Sequence, residues 1–331
     1  MLIGLFKNKN PLEFVFLLFY TFLFYGILFF KLDIKPVFDN SFLSNWLNID
    51  PAIIPKHYLI ILSIIMAYVQ TVLFFGMIRK FGLSNDQSLI SAFIYITLTG
   101  FFPGMIIISP ASISFFVLIF IMYNLFLTYD IELPIQKFFF IALYLGACSL
   151  FYSPMIIFLL FLIFALPAIK TPSFREIMIL IIGFLIPFYF LSLYFFMTDQ
   201  LPLFSELILK SIPSHFFSEI KGYQLYLLPL IFAAILFLLS FVKFFFQSGS
   251  RTIRIIIYNR ILISCIVISI GIFIILPENR WLIGSYILAP ASVYIGNWLA
   301  DNSRKIFNQV VFSILFLLAV YSEFIYYSYS F

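Results

Sequence analysis

The sequence predicts an all-α integral membrane protein, a polytopic bundle of about eleven transmembrane helices with two short interfacial helices on its external face. Three observations predict it. Of 331 residues 64% are hydrophobic and only 10% are charged, with a mean hydropathy of +1.13, so no water-soluble fold could cover this much apolar surface. The apolar residues, 48 Phe among them, fall into runs near the length at which a helix crosses a hydrocarbon layer of roughly 30 Å. The runs are apolar on both faces, which excludes the alternating pattern of an outer-membrane barrel.

The first run, 12–30, follows Lys7 and Lys9 and resembles a signal peptide in position only. It is too long for a typical signal core and ends in Phe29, Phe30 and Lys31 rather than small residues, so an uncleaved first span is expected. Charged or Pro/Gly-containing breaks then separate runs at 57–78, 88–108, 111–129, 138–152, 155–169, 177–198, 223–244, 259–276, 281–299 and 306–327. The stretch 138–169 is long for one span and short for two. Ser153-Pro154 favours two, since Ser can cap a helix and Pro fits its first turn, and Ser109-Pro110 divides the preceding pair likewise. The whole chain, 1–331, reads as a single transmembrane domain with longer external loops at 31–56 and 199–222.

Basic residues set the orientation. With a cytoplasmic N-terminus, the inner side takes Lys7, Lys9, Arg79, Lys80, Lys137, Lys170, Arg175, Lys243, Arg251, Arg254, Arg260, Arg304 and Lys305. The outer side takes only Lys31, Lys35, Lys56, Lys210, Lys221 and Arg280, together with most of the carboxylates. This is the excess that the positive-inside rule requires. It places the chain in a bacterial inner membrane with its C-terminus periplasmic. The net charge of +5 is scattered over short turns without an aromatic-interleaved basic block, so nucleic acid is not an expected partner.

In loop 31–56, Phe42, Leu43, Trp46 and Leu47 share one helical face, with Trp46 as an interfacial anchor. In loop 199–222, Leu203, Phe204, Leu207 and Ile208 form a similar face beside Glu206 and Lys210. Both segments are expected to lie on the membrane and cover the external mouth of the bundle.

Polar chemistry is sparse. No charged residue or His falls near the centre of a run, which argues against an ion-coupled transporter. Gln70, Thr97 and Asn124 are the most polar groups at depth, and interhelical hydrogen bonding accounts for them. Cys148 and Cys265 lie inside apolar runs, where packing accounts for them. No nucleotide, metal-cluster or hydrolase motif appears, so no cofactor is expected, with a divalent metal left open. The remaining candidates are external. Asp33 and Asp39, just beyond the first helix, have the chemistry of a general base toward an acceptor hydroxyl. Arg280, Lys210, His215 and Lys221 have the chemistry to hold a lipid phosphate leaving group. The bland alternative is that all of these are loop charges solvated among headgroups, and that His57 and His215 are interfacial polar residues.

Two resemblances bear on function. From Gly4-Leu5-Phe6-Lys7 and Asn10-Pro11-Leu12, through Leu150-Phe151-Tyr152-Ser153-Pro154, to Gly183-Phe184-Leu185-Ile186-Pro187-Phe188, the chain resembles an uncharacterised family of Bacteroidetes-type polytopic inner-membrane proteins. That family, which carries a domain-of-unknown-function label, implies no activity. More distantly, residues 88–190 resemble the C-type (GT-C) membrane glycosyltransferase superfamily, through Ser109-Pro110-Ala111-Ser112 opening a helix and Leu145-Gly146-Ala147-Cys148-Ser149-Leu150 leading to an external turn. The resemblance implies a polyprenyl-phosphate-linked sugar donor at the periplasmic face, with Asp33 or Asp39 catalytic. The chain departs from that pattern: no paired Asp-Glu follows the first helix, and Tyr152-Ser153-Pro154 stands where many members carry a base. Three classes follow: a transferase of this kind, a non-catalytic subunit or scaffold of a cell-envelope complex contacting other membrane proteins, and a transporter of a lipidic substrate.

Overall fold

The computed structural model describes residues 12–26, 42, 55–84, 89–101, 109–129, 134–211, 227–246, 252–275, 280–301 and 305–329; at 12, 13, 56, 227, 280–283, 285, 301, 305 and 323–329 the backbone alone is described. Among these residues there are helices and no strands. In order they are α1 (Leu12–Gly26), α2 (Lys56–Lys80), α3 (Ile90–Thr99), α4 (Pro110–Thr128), α5 (Ile135–Phe151), a 3-10 turn (Ser153–Ile157), α6 (Phe158–Ile169), α7 (Phe174–Met197), α8 (Leu201–Ser211), α9 (Leu227–Phe246), α10 (Ile253–Ile275), α11 (Arg280–Asp301) and α12 (Lys305–Tyr329).

Each of the eleven apolar runs carries a helix, and α8 is an additional one. Eleven crossings do not follow. Among the described residues five helices (His57–Lys80, Pro110–Thr128, Phe174–Met197, Leu228–Phe246 and Ile253–Ile275) are long and apolar enough to cross a membrane, and a further five apolar helices are shorter. The discrepancy is physical: an apolar run is not a helix. Within the run 88–108, α3 has ten residues and is capped at its end by Gly100. Ten residues rise about 15 Å, half of a hydrocarbon layer. The run pair at 138–169 breaks as expected, but Tyr152, not Ser153, caps the second element. Lys170 Nζ lies 5.8 Å from the Phe138 ring centroid, so α6 returns to the start of α5 as a hairpin.

Local sequence fixes the helix ends. Ser109 caps α4 through a reciprocal pair, its hydroxyl accepting from the Ser112 N–H at 3.3 Å while its own N–H donates to Ser112 Oγ at 3.0 Å. At the other end of α2, Gly82 adopts φ +66°, and Leu83 N–H donates to the Ile78 carbonyl at 3.0 Å. This αL turn satisfies carbonyls that the last helical turn leaves open. The same turn closes α7 around Asp199 at φ 56°, where Gln200 N–H donates to the Phe195 carbonyl at 2.9 Å.

Two helices form the centre. Every residue of α3 is buried, which marks a helix surrounded on all sides. It packs on α1, α2, α11 and α12, while α11 packs on α3, α4, α9 and α10. Small residues let the backbones approach: a β-carbon on Gly296 of α11 would meet Ser91 Cα of α3 at 2.8 Å. At the periphery, α5 and α7 pack through two glycines, Gly146 against the Phe184 backbone and Gly183 against that of Phe139.

Most of the bases assigned to the inner side and described here gather at one end of the bundle. Lys80 lies beside Tyr123 near the end of α4, and Phe81 meets Tyr258 at the start of α10, 5.2 Å between centroids, close to Arg254. Asn297 of α11 donates to the Leu83 carbonyl at 2.8 Å, and Phe244 beside Lys243 packs on Tyr294, 5.1 Å between centroids. Lys170 pairs with Glu176, whose carboxylate also accepts from the Ser173 N–H at 3.1 Å to open α7.

Candidate functional site

The opposite end carries α8 and Phe42. Helix α8 is amphipathic, and its inner face forms a separate apolar cluster from Phe42, Leu150, Phe195 and Leu207, with Phe204 and Ile208 packed against it. The Phe42 ring lies edge-on to Phe204 and Phe195, with centroids at 5.7 and 6.2 Å. Such edge-to-face pairs contribute about 0.5–1.5 kcal/mol beyond their buried area. Phe42 therefore meets α8 over the last turn of α5, where Leu150 sits. Of the face read from sequence, Phe204, Leu207 and Ile208 point inward, whereas Leu203 is exposed.

Among the charged candidates, the structure places Lys210. It is exposed and pairs with Glu206 one turn earlier, Nζ to Oε1 at 2.8 Å. Glu206 is held below the ordinary carboxylate range by the hydrogen bond from Lys210 and by its charge. The positive charge of Lys210 thus has a carboxylate partner within its own helix. Asp33, Asp39, His215 and Lys221 lie outside the described residues, as does Trp46. Arg280 is the first residue of α11, and its side chain is likewise outside them. His57 sits exposed at the start of α2.

Towards the middle of the bundle the structure reveals polar organisation that the sequence reading did not identify. Tyr286 of α11, fully buried, donates its hydroxyl proton to the Ala111 carbonyl at 2.9 Å and lies within hydrogen-bonding reach of Ser114 Oγ. Its ring packs on Phe158 and Phe115, with centroids at 5.2 and 5.6 Å. Pro290, one turn on, has no N–H to give the Tyr286 carbonyl, and the Cys265 thiol approaches that oxygen at 4.0 Å. Cys265 is therefore a packing residue with a weak donor role, and Cys148 is likewise a buried free thiol. The Tyr-Pro spacing of Tyr286 and Pro290 was the available sequence signal.

The three polar groups at depth divide. Gln70 does link helices, Nε2 donating to the Ser112 carbonyl at 2.5 Å. Thr97 and Asn124 do not: each bonds a carbonyl one turn back in its own helix, Phe93 at 2.9 Å and Phe120 at 2.9 Å. A side chain short enough to reach its own backbone satisfies itself there. No grouping of three His, Cys, Asp or Glu occurs among the described residues. Comparison with family models, with curated proteins and with solved structures gives no match.

Proposed function

We propose that the chain is a multi-pass protein of a bacterial inner membrane whose working face is the end bearing Phe42 and α8. In this reading the N-terminus is cytoplasmic and the C-terminus periplasmic. The proposed activity is GT-C-like transfer of a sugar from a polyprenyl-phosphate carrier at the periplasmic face. One observation carries it: Phe42, from the first external loop, is lodged among Phe195, Phe204 and Leu207. Three residues of chain hold Asp39 within about 10 Å of Phe42 at full extension. A carboxylate within that reach of an apolar cluster has the chemistry of a general base.

The step is as follows. Asp39, or Asp33, takes the proton of an acceptor hydroxyl. The acceptor oxygen bonds to the anomeric carbon, and the bond from that carbon to the carrier phosphate breaks. The phosphate leaves with the electron pair. Its charge is met by Arg280, His215 and Lys221, and least by Lys210, which also pairs with Glu206. A transporter reading gains nothing from the bundle axis, where Tyr95, Phe115, Phe158 and Tyr286 are buried against one another.

The test is purification from native membranes with mass spectrometry of what comes along. A polyprenyl-phosphate-linked sugar is expected with the wild-type chain, and in larger amount with Asp39→Asn, where turnover stops. A stoichiometric membrane-protein partner with no such lipid, unchanged by Asp33→Asn and Asp39→Asn, would replace the transferase with the envelope-scaffold reading.

A further inference from the structure

Helix α12 carries a face that neither the fold nor the proposed chemistry uses. Its inward side is occupied. Asn308 Nδ2 donates to the Leu299 carbonyl of α11 at 2.7 Å, Ser322 Oγ donates to the Gly100 carbonyl at the end of α3 at 2.6 Å, and Val311, Leu315 and Ala319 are buried. Rings set its flanks, Phe307 against Trp298 of α11 and Phe316 against Phe24 of α1, both 5.8 Å between centroids. The outward stripe is Ile306, Val310, Ser313 and Leu317, all exposed, with Gln309 half-buried beside it.

Two of these residues do not suit a lipid-facing surface. Among the described residues neither the Gln309 amide nor the Ser313 hydroxyl has a hydrogen-bond partner. Other half-buried polar side chains of the bundle turn back onto their own helices: Ser192 of α7 donates to the Tyr189 carbonyl and Ser264 of α10 to the Ile261 carbonyl, each at 2.8 Å, and Asn124 of α4 donates to that of Phe120. Ser313 stands eight residues from Lys305, a rise of about 12 Å, and Gln309 one turn nearer that end. In a hydrocarbon layer of roughly 30 Å that depth leaves no water to take the place of a partner. An amide or hydroxyl left unpaired there carries a free-energy cost that a protein neighbour removes.

The chemistry of the pair selects the neighbour. An amide offers both N–H and C=O, and a hydroxyl both donates and accepts, so each can bond a copy of itself. A two-fold axis along the membrane normal sets residues of equal depth side by side, Gln309 facing Gln309 and Ser313 facing Ser313. The stripe from Ile306 through Val310 and Ser313 to Leu317 advances by four, three and four residues, the spacing at which two helices pack along a left-handed seam. From Ile306 to Ser322 no residue is charged, so two copies bring no like charges together.

We propose that the chain pairs with a second copy of itself through the α12 face bearing Gln309 and Ser313. The pairing depends on the membrane setting of the proposed function and not on the transfer chemistry.

Cysteine crosslinking in carbonate-washed native membranes tests it, with each variant scored as a share of the chain that the washed membrane carries. Under a membrane-permeant oxidant, Val310→Cys, Ser313→Cys and Leu317→Cys are each expected to give a disulfide-linked dimer on a non-reducing gel. Ile182→Cys on α7 and Ile235→Cys on α9, exposed at 54% and 50% against 50% for Val310, are expected to stay monomeric. Wild type is expected to stay monomeric as well, because Cys148 and Cys265 are buried. In liposomes of increasing lipid-to-protein ratio, Gln309→Leu and Ser313→Ala are each expected to weaken association roughly threefold to tenfold, the strength of one hydrogen bond between helices in lipid. Crosslinking at the three α12 positions no stronger than at Ile182→Cys and Ile235→Cys overturns the pairing, and so does a crosslinked band with the mass of a different membrane protein. A chain removed by the carbonate wash would instead refute the membrane setting itself.

Discussion

A β-carbon on Gly183 would stand 2.7 Å from the carbonyl oxygen of Phe139. The partner glycine, Gly146, presents the same problem to the carbonyl of Phe184, and neither obstacle is a side-chain tip that can swing away. The two glycines therefore set how closely α7 approaches α5. Without a hydrophobic effect between helices in lipid, such close backbone packing is a principal source of association. Gly146→Ala and Gly183→Ala are each expected to destabilise by about 1–3 kcal/mol, the cost of overpacking a fitted contact. Gly76→Ala and Gly271→Ala meet open space and are expected to be neutral or to stabilise by up to about 1 kcal/mol through helix propensity. Thermal or denaturant unfolding in detergent, followed by helical circular dichroism, distinguishes the two classes.

Tyr286 joins α11 to α4 through its hydroxyl and to α6 through its ring. Tyr286→Phe keeps the ring and loses the hydroxyl, with an expected cost of about 1–3 kcal/mol if Ser114 is left with a poorer partner. Tyr286→Ala adds a cavity and is expected to cost about 3–5 kcal/mol, as for other large buried aromatics. Equal effects for the two substitutions would show that the ring contributes nothing.

Asp199 occupies a left-handed conformation that glycine adopts at no steric cost. Asp199→Gly is expected to stabilise the α7–α8 junction slightly, and Gly82→Ala, at the equivalent position after α2, to destabilise by about 1 kcal/mol. A stabilising Gly82→Ala would mean that the αL turn is absent in the membrane.

The carboxyl of Glu206 is lowered by Lys210, so the pair contributes stability above the unfolded carboxylate range and loses it as the pH falls through the lowered value. Both partners are exposed, so the contribution is expected to be too small to move the unfolding midpoint. Lys210→Gln is expected to return the Glu206 carboxyl to its ordinary range, read by carbon-detected NMR titration, while leaving both stability and any lipid-linked sugar bound. Loss of that lipid in Lys210→Gln would restore Lys210 to the phosphate-holding set.

Much of the helical layout was legible because lipid leaves the backbone no alternative to internal hydrogen bonds. The cap at Ser109 followed from the Ser109-Pro110 pair, and the apolar faces that carry Phe42 and Leu207 from helical spacing. What the sequence concealed was geometry at the scale of one turn. Gly100 ends α3 at half a crossing, and Thr97 and Asn124 turn back onto their own helices. The glycines at 146 and 183 appear in the sequence only as small residues in apolar runs; their partners, the backbones at Phe184 and Phe139, are some 40 residues away along the chain. For the candidate site, charge and loop length pointed to the external face, but the pairing of Lys210 with Glu206 depends on both rotamers and not on composition.

The central claim is that α8 and the rim at Arg79–Lys80 face opposite sides of a membrane. It is tested most directly by labelling with a membrane-impermeant maleimide in intact cells from which the outer membrane has been removed. Ser205→Cys, exposed on α8, is expected to react at once, and Arg79→Cys only after the inner membrane is permeabilised, with the buried Cys148 and Cys265 silent. Reaction of both introduced cysteines from the same side would contradict the arrangement and every assignment that rests on it.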